Sequence, residues 1–263
     1  IDDVGRTVTI PAPATRIISL APHLTEILFE LGVGDAIVAT VRFSDYPEAA
    51  KHLPQLGDAF SVNVEAVMAL RPDLVLAWRS GGADRALEQL EALGVTLYFN
   101  EAVQLRDIGA SMRKIAELVG RPALGVELSD AFVQTLDRLE ANAPHQRIRV
   151  FFQIADENIY TVNRSHLIGQ AISLCGGDNP FGDIGAPVPM IGQEAVLAAN
   201  PDLIVITRVP EAPRPLWMDR WEAYPGLAGK VRPIDPDLIS RPGPRMRTGI
   251  QTLCGLIQDA AVR

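Results

Sequence analysis

The loop Arg79-Ser80-Gly81-Gly82 has the composition that chemistry at a phosphate would use. It follows an apolar run that reads as a strand and precedes a helical pattern, so its backbone N–H groups could cradle an anion at a helix start. A glycine pair also permits an ordinary tight strand-to-helix turn. A phosphate-handling enzyme would need a general base or nucleophile beside the loop, and the sequence shows none. His23, His52, His145 and His166 are scattered and lack the spacing of a preformed metal cluster. Neither Gly-x-Ser-x-Gly nor His-Glu-x-x-His occurs. Gly226-Leu-Ala-Gly229-Lys230 is too short for a phosphate-binding loop, and Gly32-Val-Gly34 lacks the third glycine of a dinucleotide fingerprint. Both read as turns, and no catalytic residue or metal ligand set is assigned.

Cys175 and Cys254 are the only cysteines. They read either as two buried thiols or as a disulfide, and a bridge closing a loop of this length stabilises by about 4 to 5 kcal/mol in the chain-entropy model. A disulfide would fit an oxidising compartment. The chain starts Ile1-Asp2-Asp3, as expected of a secreted protein whose signal has been removed. Acidic residues outnumber basic ones, 32 to 24, which argues against a nucleic-acid partner. No apolar run is long enough to cross a membrane as a helix.

The elements that would position these residues come from an internal repeat. Residues 62–78 and 191–207 align with Glu65 over Glu194, and share Glu, Ala, Val, Ala, Pro, Asp and Leu in register. Each copy reads as a short helix ended by a Pro-Asp turn and then a continuous apolar strand, the kind buried on both faces of a parallel sheet. Further strands are expected at 16–20, 36–40, 95–99 and 149–154. Helices are expected at 22–31, through Leu87, Leu90 and Leu93, at 108–118 and at 123–142. The alternation predicts an α/β protein: two Rossmann-like lobes with mainly parallel sheets, joined by a single long backbone helix. The boundaries are an N-terminal lobe at 1–120, an interlobe helix segment at 121–144 whose twenty helical residues at 123–142 span about 30 Å, and a C-terminal lobe at 145–263. The Pro-rich segments 185–189, 210–215 and 242–244 read as surface loops.

Ser44-Asp45-Tyr46-Pro47, Ala77-Trp78-Arg79-Ser80-Gly81-Gly82, Cys175-Gly176-Gly177 and the stretch from Asp237 to Arg245, together with the repeat, resemble the periplasmic cobalamin-binding proteins. These belong to the helical-backbone class of metal-chelate receptors, which also binds haem and ferric siderophores. The resemblance runs from Arg16 to Leu256. It implies a monomeric periplasmic receptor, not an enzyme, with a ligand cleft between the lobes and no cofactor besides the transported ligand. Carried over by position, Tyr46, Trp78 and Tyr160 match aromatic ligand contacts, and Asp237 and Arg241 match polar ones. A disulfide between Cys175 and Cys254 is implied as well. Glu65 and Glu194 would dock onto the permease of an ABC importer, whose ATPase completes the complex.

The sequence also departs from that pattern. Val188 stands at an expected tryptophan, Leu238-Ile239 replace an aromatic pair, and an expected loop aromatic is shifted to Phe60. His23 replaces a small residue; it reads as a solvated helix-start histidine or as a group able to touch the ligand. Trp78 has an alternative as core at a strand end, Tyr46 and Tyr160 as half-buried loop residues, and Asp237 with Arg241 as a mutual surface ion pair.

Overall fold

The computed structural model describes residues 1–58, 60–154 and 158–262. The chain divides into two compact units, one of residues 1–102 with 106–133 and one of residues 103–105 with those from 134 onward.

The first unit alternates strand and helix: β1 (Ile17–Ser19), α1 (Pro22–Glu30), β2 (Ile37–Ala39), α2 (Val64–Ala69), β3 (Leu74–Trp78), α3 (Asp84–Ala92) and β4 (Leu97–Asn100). The strands form one parallel sheet in the order β2-β1-β3-β4. Ile17, Ile18, Leu74, Val75 and Leu76 are wholly buried, as the continuous apolar runs require of strands covered on both faces. Beside β4, the N-terminal segment supplies partners for backbone groups: Asp3 N–H donates to Phe99 O, and Phe99 N–H donates to the Asp2 carboxylate. An edge strand covered in this way offers less template for foreign pairing.

Two helices follow, α4 (Leu105–Leu118) and α5 (Pro122–Ala141). The first unit takes α5 as far as Val133 and the second takes it from Gln134, so one uninterrupted helix carries the chain from one unit into the other.

The second unit continues with β5 (Ile148–Gln153), α6 (Leu167–Leu174), β6 (Gly177–Asp178), α7 (Gln193–Ala199), β7 (Leu203–Thr207), α8 (Leu216–Glu222), β8 (Val231–Ile234), α9 (Pro236–Ile239) and α10 (Met246–Ala261). Its parallel sheet runs β6-β5-β7-β8. Phe151, Phe181, Trp217 and Trp221 fill the core, with the Trp221 ring N–H satisfied by Gln153 Oε1 at 2.8 Å. The paired cysteines form a disulfide that joins the end of α6 to the middle of α10, with 4.7 Å between the two Cα atoms. This settles the choice left open between thiols and a bridge.

The two repeat copies fold alike, as α2-β3 and α7-β7. The helices do not run as far as the Pro-Asp turn. They end a residue or two earlier, and Arg71 and Asn200, at equivalent positions just before the prolines, take left-handed conformations with φ of 47° and 45°. Such a residue reverses the chain out of the helix, and a proline after it cannot rejoin the ladder.

Candidate functional site

In a parallel sheet the loops that leave the carboxyl ends of the strands share one rim, which is where ligands of this architecture bind. In the first unit, His23 lies in the first turn after β1, Tyr46 and Phe60 lie in the β2-to-α2 connection, and Trp78 is the last residue of β3. All four therefore belong to the same rim. Trp78 stands inside its strand, paired in register with Asn100 of β4 and half-buried.

The local sequence explains how the rim is held. Ser44 is buried, and its hydroxyl lies 3.2 Å from that of Thr25 in α1, which is 2.8 Å from Ser19 Oγ at the end of β1. The Ser44-Asp45-Tyr46-Pro47 motif is thus pinned at its first residue and presents Tyr46 to solvent. Asp58 Oδ1 accepts the backbone N–H groups of Phe60 and Ser61, which anchors an aromatic residue that is 77% exposed. Gly82 has φ 94°, and a Cβ built on it would lie 2.6 Å from Phe60 Cδ1, so both the turn and the approach of Phe60 need glycine there. Phe60, Gly82, Arg85 and Gln89 border a recess of about 240 Å³.

Phe43 was not singled out in the sequence. It is 64% exposed with φ 68°, in the same connection as Tyr46. A bulky residue is rarely held on left-handed backbone with its ring in water. Only its place beside the motif could have pointed to it.

His23 overturns the solvated reading. It is 2% exposed, its Nε2 lies 2.8 Å from Asn100 Oδ1, and its ring stands at right angles to that of Trp78 with 5.7 Å between centroids. Asn100 Nδ2 donates to Asp3 Oδ2 at 2.7 Å, Asp3 Oδ1 takes Lys114 Nζ at 2.7 Å, and Tyr98 donates to the same oxygen at 3.3 Å. Burial, followed by the charge of Asp3, pushes the Tyr98 phenol far above its ordinary value, so it stays a donor. No group of three or more His, Cys, Asp and Glu able to hold a metal occurs among the described residues.

The phosphate-cradle reading of Arg79-Ser80-Gly81-Gly82 meets a direct obstacle. The Ser80 N–H already donates to Glu101 Oε2 at 2.9 Å, and Arg79 pairs with Asp84 at 3.0 Å. A carboxylate on the cradle repels an anion.

In the second unit Tyr160 follows β5, the 187–190 segment precedes α7, and Asp237 lies in α9 just after β8, again all on the carboxyl-end rim. Tyr160 is half-buried and bridges Met190, while Thr161 N–H donates to Pro189 O. This holds Val188 and Met190 outward, both exposed. Asp237 and Arg241 form the mutual ion pair at 2.8 Å, both only partly exposed. The Leu238-Ile239 pair divides: Ile239 is core and Leu238 half-buried, so the two do not act as one surface. A Cβ on Gly249 of α10 would collide with the Leu238 carbonyl, so glycine there lets α9 and its Asp237 seat against α10. Glu65 and Glu194 are exposed in the first turns of α2 and α7, one in each unit.

Comparison with known proteins agrees with this architecture. The profile of the Periplasmic binding protein family matches residues 17–213. The Vitamin B12-binding protein of Pectobacterium carotovorum subsp. carotovorum is 36% identical over 242 residues, 91% of this chain and 87% of that one. The crystal structure of periplasmic vitamin B12 binding protein BtuF of Vibrio cholerae superposes with a TM-score of 0.86 at 33% identity, covering 96% of this chain and 100% of that one. The periplasmic haem-binding protein RhuT from Roseiflexus sp. RS-1 gives 0.80 at 26% identity, over 94% and 99%. With two parallel sheets, a shared helix and aromatic residues gathered on the strand-end rims, the chain belongs to the periplasmic binding protein family.

Proposed function

We propose that this protein is a periplasmic receptor, released there after removal of a signal peptide, that captures cobalamin and delivers it to an ABC importer without chemical turnover. The observation that carries the reading is the 33% identity and 0.86 TM-score to a vitamin B12 binding protein across nearly the whole chain. Tyr46, Phe60 and Trp78 on one rim and Tyr160 on the other would supply apolar faces for a corrin ring, since aromatics contribute large contact area at small entropic cost. Asp237 and Arg241 would bind its peripheral amides, exchanging part of their mutual pairing for ligand contacts. Phe43 would add a further ring to the first rim. Glu65 and Glu194 would meet the permease, one carboxylate from each unit, giving register to the docking.

The haem-binding relative sets the competing ligand class. The test is to incubate the protein with equimolar cyanocobalamin and haemin, remove free ligand, and read the absorption spectrum of the protein fraction. A corrinoid spectrum supports the proposal; a haem spectrum without corrinoid overturns it.

A further inference from the structure

We infer that His23 is a positioning residue for ligand capture: its ring, packed at right angles, fixes the Trp78 indole, and a buried Asp3–Asn100 relay fixes His23 in turn. The inference rests on the proposed role of Trp78 as a ligand anchor.

The relay determines its own hydrogen positions. An ionised carboxylate only accepts hydrogen bonds, so the Asn100 group facing Asp3 Oδ2 at 2.7 Å must be its NH2. The same NH2 lies 2.8 Å from Ser111 Oγ, whose hydroxyl donates to Asp3 Oδ2 at 3.0 Å. Asn100 therefore turns its carbonyl oxygen to His23, and the His23 nitrogen 2.8 Å away must carry a hydrogen. Asp3 is itself anchored by Lys114 at 2.7 Å and by the Glu101 N–H at 3.0 Å. Each step fixes the next: the carboxylate sets the amide, the amide oxygen holds the imidazole nitrogen that faces it, and the imidazole stands at 90° to the indole.

The location gives this order a purpose. Asn100 is the register partner of Trp78, so the relay ends on the strand beside the anchor. His23 is buried while Trp78 is half-buried, so the imidazole holds one side of an indole that still presents surface. An aromatic held in its bound orientation loses less freedom on binding. The relay contains groups that sequence spacing cannot join, Asp3 from the N-terminal segment, His23 from α1 and Ser111 with Lys114 from α4.

The test is a double-mutant cycle on the intact protein with two readouts, the affinity for cyanocobalamin and the near-ultraviolet dichroism of the ligand-free protein. The Trp78 band is isolated by subtracting the spectrum of Trp78→Phe. His23→Ala is expected to diminish that band and to weaken cyanocobalamin about 5- to 10-fold, the scale of an aromatic pair contact. In a Trp78→Ala background the same change should cost less than about twofold. His23→Gln keeps an N–H for Asn100 Oδ1 and thus the fold, but lacks the ring, and should reproduce the loss without lowering Tm. An equal loss in both backgrounds, or an unaltered band and affinity in His23→Gln, overturns the inference. Unchanged affinity in Trp78→Ala alone would instead contradict the anchor role of Trp78, while the dichroism would still report whether His23 orders the indole.

Discussion

Asp73 and Asp202, 129 positions apart, make the same connection in the two units: each carboxylate receives the backbone N–H of an arginine at the N-terminal end of the first strand of its sheet, Arg16 just before β1 and Arg149 inside β5. Asp73 Oδ2 accepts Arg16 N–H at 2.9 Å and Asp202 Oδ2 accepts Arg149 N–H at 2.8 Å. The reverse bond is present too, from Asp73 N–H to Arg16 O and from Asp202 N–H to Arg149 O, each at 2.8 Å. This reciprocal clamp sets the register of the first sheet at Ile17 opposite Leu74 and of the second at Val150 opposite Leu203.

The clamp has a pH signature. The Thr15 backbone N–H, then its hydroxyl and Arg16, hold the Asp73 carboxyl below its ordinary value against a burial cost. At Asp202 burial opposes ionisation, and the Arg149 hydrogen bonds and charge outweigh it, again lowering the pKa. A lowered carboxyl contributes stability that is complete above the unfolded value of about 4 and is lost as pH falls through the folded value. Asp73→Ala and Asp202→Ala should each cost about 1 kcal/mol at pH 7 by urea unfolding, with the difference from the native protein shrinking as pH drops to about 2. A difference that stays constant over that range would contradict the clamp.

His166 gives a second pH dependence, at a higher pH. It caps α6, its Nδ1 accepting the Ile168 N–H at 3.1 Å, and burial lowers its pKa. A histidine kept neutral by the fold contributes stability that is complete above about pH 6.5 and is lost as pH falls toward the depressed value. Tm should therefore decline between about pH 7 and 5, and His166→Asn, which keeps a capping acceptor that cannot titrate, should flatten that decline. An identical slope in the variant would show that other groups cause it.

The disulfide bridges a sequence separation of 79 residues between α6 and α10. Cys175→Ser with Cys254→Ser is expected to destabilise by about 4 kcal/mol in denaturant titrations while leaving cyanocobalamin affinity within about twofold. Stability equal to the native protein would show that the bridge constrains nothing the unfolded chain would otherwise explore.

For the exposed glutamates the expected result is functional rather than structural. Glu65→Ala with Glu194→Ala should leave Tm and ligand affinity unchanged and abolish corrinoid uptake into vesicles carrying the cognate importer. Undiminished uptake would remove the docking role.

The repeat made the second unit's α7-β7 readable from the first unit's α2-β3, because a parallel sheet forces the same helix, turn and buried strand wherever it recurs. The clamp behind its Pro-Asp signature was not readable, since Thr15, Arg16 and Arg149 carry no motif and the strand starts they mark lie outside the repeat. His23 shows the same limit at the candidate site. Its position at a helix start favoured a solvated histidine, yet Asn100, far along the chain, supplies the acceptor that makes burial tolerable. The alternation of strand and helix places Tyr46 in a connection after a strand, whereas Trp78 is the last residue of its strand and reaches the rim from inside the sheet. Phe43 was not legible, because its exposure follows from a left-handed backbone with no glycine to announce it.

Whether the aromatic rims serve a corrinoid is decided by a calorimetric titration of the purified protein with cyanocobalamin, cobinamide and haemin. Saturable binding of cyanocobalamin with one ligand per chain is expected, weaker in Trp78→Ala by about 30-fold or more, as truncating a central aromatic anchor does, with Tm preserved. Saturable haemin binding with no heat from either corrinoid would contradict a corrinoid role.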